Sequence, residues 1–186
     1  MADKRSAVSG KMILDSGRLA ESYFERTVIF MVRHDKEGAL GLVVNRPTKH
    51  TVAEVLKEKA DDLIARVPLS LGGPVQPQTI SFLVESCGDT ELNVLPWVAW
   101  ARSLEEVEML VSASASPPTN RAFAGYAGWG RGQLEGEFEG GCWVTVAPRP
   151  ADVFVESSGV LWRDVIARQG GIWRLVADMP RDVGRN

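Results

Sequence analysis

Two apolar runs standing almost end to end constrain the fold of this chain more than any other feature. Residues 27–32 read TVIFMV and residues 39–44 read ALGLVV, with the polar break HDKE at positions 34–37 between them. β-Branched and aromatic residues fill the first run, as strands prefer. A parallel pair would need a crossover of about a dozen residues or more, so strands joined this closely must form an antiparallel hairpin. Continuous apolar character says that at least one of them is buried on both faces.

Helix signals alternate with strand signals along the rest of the chain. Thr51 with Glu54 has the spacing of a capping box, and Val52, Val55, Leu56, Leu63 and Ile64 fall on one face of the helix it would open. Ser103 with Glu106 repeats the device ahead of the stripe Leu104, Val107, Leu110 and Val111, and Pro117-Pro118 closes that segment. Strands are expected at 80–84 and 143–146. A last helix is expected over about 159–169, with Gly170-Gly171 as its stop. Paired strands with helices inserted between them predict an α+β fold rather than a doubly wound parallel sheet. With 186 residues, no internal repeat and no linker, residues 1–186 read as one domain, with tails at 1–11 and 178–186.

Composition narrows the function. A net charge of -3 argues against wholesale attachment to nucleic acid or an anionic membrane. No apolar run approaches the roughly 18 residues of a membrane span, and the opening MADKRSAVSGKM has no signal-peptide core, so a cytoplasmic protein is expected. Cys87 and Cys142 are too few for a disulfide framework. Together with His34 and His50 they lack the ligand spacing of a zinc site, so neither metal nor cofactor is expected. Both histidines stand in polar stretches and read as solvated surface; Cys142 reads as a small core residue.

The glycine block GYAGWGRGQLEGE at 125–137 offers three choices: a phosphate cradle, the wall of a cleft, or a tight corner in a packed core. Gln133 stands where a dinucleotide fingerprint needs its third glycine, and no Gly-Lys-Ser/Thr ending follows. Leu134 and Phe138 suggest a short helix after the glycines, but Glu135 and Glu137 near its start would repel an anion. Gly72-Gly73-Pro74 reads as another glycine turn.

Several blocks resemble the AlgH/YqgE family of bacterial proteins: FERTV at 24–28, GALGL at 38–42 leading to Asn45-Arg46-Pro47, GGPV at 72–75, GYAGWGRGQLE, and Leu161-Trp162-Arg163. They span about residue 12 to 170 in the family's order. The resemblance implies a cytosolic α+β protein whose barrel-like, bifurcated, mostly antiparallel β-sheet is surrounded by helices. It implies no particular reaction, and the label of transcriptional regulator attached to the family comes without a recognised DNA-binding motif. Arg131 stands where relatives usually carry proline, and the segment after Gly171 does not match.

The turns at Asn45-Arg46-Pro47, Gly72-Gly73 and the glycine block could converge on one shallow cleft. Asn45, Arg46 and Gln133 would then supply its polar groups, Gly72 and Gly73 its floor, and Tyr126 and Trp129 its apolar wall. The guanidinium fork of Arg46 suits an anionic or carboxylate-bearing group. The expected function is thus a binding or regulatory protein with a protein or small anionic partner and no catalytic residues. The alternatives are a DNA-binding regulator, or an enzyme using His34, Cys142 or Arg46.

Overall fold

The computed structural model describes residues 8–56, 62–86, 88–155 and 159–180. Cys87 lies outside the described residues, as do 1–7 and 181–186 of the expected tails. The first strands are β1 (Met12–Asp15), β2 (Val28–Asp35), β3 (Gly38–Val43), β4 (Pro47–Thr51) and β5 (Pro68–Leu71). They are followed by β6 (Val75–Glu85), β7 (Asn93–Leu95), β8 (Val98–Ala101), β9 (Asn120–Gly130) and β10 (Trp143–Val146). The helices are α1 (Val52–Val55), α2 (Asp62–Ala65), α3 (Leu104–Ser112) and α4 (Gln133–Glu139), then α5 (Pro150–Val153), α6 (Leu161–Ala167) and α7 (Ile172–Asp178).

The expected hairpin is present: β2 pairs antiparallel with β3, with a register shift between Met31 and Arg33. The sheet runs β10-β1-β2-β3-β9-β6-β8-β7, curls into a half-barrel and is antiparallel along this path. Off this path lie β4 and β5, which pair antiparallel with each other, and β5 runs parallel to the first half of β9. Burial on both faces explains the unbroken apolar runs. Met12, Leu14, Val28, Phe30 and Leu42 point into one cluster with α6, while Ile13, Ile29, Met31 and Val43 point into another beneath α4. A third cluster seats Val107 and Leu110 of α3 on Phe82, Val84 and Ala122. Ser103 caps α3 as expected, its Oγ accepting from the Glu106 amide at 3.3 Å.

Two sequence expectations change. Among the described residues, the helix expected over 51–64 is two single-turn pieces, α1 and α2. Thr51 donates its amide to Glu54 Oε2 at 3.1 Å as the capping box requires, but Leu56 is already extended and Val55 and Leu63 are exposed. The glycine block is not a corner. Residues 125–130 are the second half of β9, the central strand, and only Arg131-Gly132 turn before α4. One edge of β9 is shared, with β5 beside Ala122–Ala124 and β3 beside Ala127–Gly130. The sheet forks at Gly125, where φ is +66°. Gly72 bridges the fork, its amide donating to the Ala124 carbonyl at 2.8 Å and its carbonyl accepting from the Val43 amide at 2.9 Å. The bifurcation that the resemblance implied is therefore built by glycines meeting backbone to backbone.

Candidate functional site: an arginine-lined recess

The loop between β1 and β2 is folded by one buried carboxylate. Asp15 accepts the amides of Gly17 (2.8 Å), Leu19 (3.1 Å) and Arg26 (2.8 Å). Asn45, at the end of β3, then ties the loop to the sheet: Oδ1 accepts from the Val28 amide at 2.9 Å and Nδ2 donates to the Arg26 carbonyl at 2.8 Å. This clamp sets Arg26 and Arg46 beside each other. From the other side comes α6, held by the buried side chains of Leu161, Val165 and Ile166, each contributing about 1.5–3 kcal/mol. Its Trp162 indole donates to the Asp15 carbonyl at 2.9 Å.

Between these elements lies a recess of about 170 Å³ lined by Arg26, Asn45, Arg46, Gly159, Val160, Trp162 and Arg163. Its three guanidiniums differ in how far they are neutralised. Arg163 pairs with Asp178 at 2.6 Å. Arg46 donates to the Glu25 carbonyl at 2.7 Å, while Arg26 lies 5.0 Å over the Trp162 ring and donates to the Met179 carbonyl. Among the described residues neither Arg26 nor Arg46 has a carboxylate partner. Burial raises the pKa of the Tyr23 phenol, and the charge of Arg46 pulls it the other way. A chain that is acidic overall thus concentrates cations at one concave place.

Arg26, Asn45-Arg46 and Trp162-Arg163 come from the blocks FERTV, NRP and LWR, so three separated pieces of the resemblance meet at this recess. The AlgH-like family pattern matches residues 12–174. The chain belongs to the AlgH-like family. A UPF0301 protein of Chlorobium luteolum is 38% identical over 184 residues, covering 96% of this chain and 94% of that relative. One from Streptomyces avermitilis is 36% identical over 190 residues, covering 97% and 96%. The solution structure of the AlgH protein from Pseudomonas aeruginosa is 27% identical, with a TM-score of 0.71 over 97% of this chain and 98% of that one. A crystal structure from Corynebacterium diphtheriae shares the fold at 22% identity, with a TM-score of 0.74 and 95% of each chain covered.

In this AlgH-like chain the seven residues singled out from the sequence do not share one recess. Asn45 and Arg46 line the recess. Gly72 and Gly73 are buried in the fork against Gly125 and Tyr126. Tyr126 and Trp129 are an odd number of positions apart on β9 and pack on opposite faces, so they cannot form a common wall. Gln133 is exposed on α4, accepting from the Gly130 amide at 3.2 Å and donating to Glu137 at 3.1 Å. Trp129 belongs to a packed aromatic triangle, 6.1 Å from Phe24 and 6.0 Å from Trp143. Glu137 Oε2 accepts both indole N–H groups, at 2.8 and 2.7 Å. Glu137→Ala is expected to strand both donors and cost about 2–4 kcal/mol, read as a lower urea midpoint.

His34 also departs from expectation. Its side chain is only 7% exposed, because Nδ1 accepts from the Val8 amide at 3.2 Å and Nε2 faces Glu135 at 3.1 Å. The acceptor role of Nδ1 leaves the ring proton on Nε2. This pins residues 8–11 to the sheet, with Val8 buried and the Gly10 amide donating to the Met31 carbonyl at 2.8 Å. His50 is exposed, as expected. Cys142 is half-buried against the α4-side cluster. Among the described residues no hydrogen bond joins His34, Cys142 and Arg46, and no helix is long and apolar enough to cross a membrane.

Proposed function

We propose that this chain is a binding protein that captures an anionic group, a carboxylate or a phosphate, in the recess between the Asn45-Arg46 turn and α6. The observation that supports this most is the pairing of Arg26 and Arg46 at the mouth of one cavity with only carbonyl oxygens as partners. Hydrogen bonds to a charged group are worth about 1.5–3 kcal/mol each, so two such forks suffice for a useful affinity for a small anion. Partial enclosure keeps those contacts from being screened as strongly as surface pairs. Trp162 and Val160 add apolar lining, which favours an anion carried on a larger organic or peptide body.

Calorimetric titration of the full chain with inorganic phosphate and with succinate tests the proposal. At least one is expected to bind saturably, and Arg46→Ala is expected to weaken it by about tenfold or more with little change in melting temperature. Equal heats from the parent and Arg46→Ala would contradict it.

A further inference from the structure

The surface beside the recess is apolar where a lone domain would be expected to be polar. On α7, Ala177 is buried and Trp173 and Val176 pack inward, yet Ile172 and Leu175 are 66% and 68% exposed. At about 100° per residue, Ile172, Leu175 and Met179 fall on a single stripe roughly 60° wide. The stripe ends beside Arg26, which donates to the Met179 carbonyl, and Val160, 59% exposed, lines the recess that Arg26 also lines. Met179 and Val176 share a hollow with Arg26 and Trp162, so the stripe adjoins the recess at Arg26.

Charge and shape decide which occupant this surface suits. Two copies meeting through α7 would lay stripe on stripe, and the stripe itself carries no carboxylate for the recess. A bilayer presents a flat face, which would meet the stripe but not the concave recess. A segment carrying apolar side chains at helical spacing, with carboxylates among them, satisfies both features at once.

We infer that this surface docks an acidic amphipathic peptide segment of a partner protein. Its apolar side chains lie along Ile172, Leu175 and Met179, and one carboxylate enters the recess. The inference rests on the anion-binding function proposed above and names the kind of partner that delivers the anion. The apolar stripe supplies area, and the arginines supply register and selection against uncharged segments.

The test is fluorescence anisotropy of the full chain with a labelled synthetic amphipathic peptide of leucine and glutamate. Saturable binding is expected. Leu175→Glu, on an exposed face where a thermal melt confirms folding, is expected to weaken peptide binding by about tenfold while leaving phosphate binding unchanged. Arg46→Ala should weaken both. The inference is overturned if the glutamine version of the peptide binds equally well, or if Leu175→Glu has no effect. It is overturned also if the stripe instead mediates self-association in analytical ultracentrifugation, or if phosphatidylglycerol vesicles bind and the peptide does not. Phosphate binding without peptide binding defeats this inference alone; loss of both defeats the anion-binding function as well.

Discussion

Gly73→Ala is expected to cost this protein most of its stability. A Cβ placed at Gly73 would stand 2.0 Å from the carbonyl carbon of Tyr126, and one at Gly72 would stand 2.3 Å from the Gly125 oxygen. The obstructing atoms are backbone of the central strand, so no side chain can rotate aside. Overpacking in a core usually costs about 1–3 kcal/mol; parting β5 from β9 adds the lost ladder bonds, for an expected total on the order of 4 kcal/mol or more. Against a typical total stability of about 5–15 kcal/mol, that leaves a variant which is poorly soluble or unfolds at low urea. The matched control is Gly136→Ala in α4, where nothing lies within 4 Å of the added methyl. It is expected to be neutral or to stabilise by less than about 1 kcal/mol. A Gly73→Ala protein as stable as its parent would mean that the fork is not packed as described.

Arg121→Met is expected to be nearly as damaging, for the opposite reason. Arg121 is the hub on which three segments close: Nη1 donates to the Val153 carbonyl at 2.8 Å, and Nη2 donates to the Val44 carbonyl at 2.8 Å and to Ser70 Oγ at 3.1 Å. Its guanidinium also lies 5.1 Å over the Phe123 ring. Burial lowers its pKa to about 10, so it remains a cation at neutral pH, solvated by carbonyl oxygens in place of water. Methionine fills part of the volume but strands the two carbonyls, each worth about 1–3 kcal/mol when buried without a donor. A loss of about 3–5 kcal/mol, and a melting temperature lower by on the order of 10 °C, is expected by calorimetry. Arg121→Lys should recover only part of this, because one ammonium cannot reproduce the fork.

The strands and helices with a single clean period were legible in the sequence; those shaped by close approach were not. The β2–β3 hairpin followed from loop length, and α3 from its cap and apolar stripe. The strand character of 125–130 was hidden because Gly125 admits Gly73 and the start of β6 at short range, and glycine-rich sequence reads locally as a turn. The α1–α2 segment misled because Val55 and Leu63 keep a helical spacing that the packed core does not use. α7 was missed for a related reason: its large aliphatic residues at 172 and 175 face outward, so they mark no buried stripe.

The candidate site was half legible. Asn45 and Arg46 drew attention as a polar pair ending a buried strand, and both line the recess. Their partners come from residues 19 and 20 positions before, at Arg26, and more than 100 positions later, at Trp162 and Arg163. No spacing rule joins such segments, although the blocks FERTV and LWR did contain them. His34 looked solvated because its neighbours Asp35 and Lys36 are, while its own ring turns inward to Val8 and Glu135.

The most direct test of the anion-binding proposal is heteronuclear NMR of the full chain titrated with inorganic phosphate at constant ionic strength. Saturable shifts are expected, confined to the Trp162 indole N–H and the amides of residues 26, 45, 46 and 160–163, and absent in Arg46→Ala. Shifts that are missing there, spread evenly over the surface, or unchanged in Arg46→Ala would contradict it.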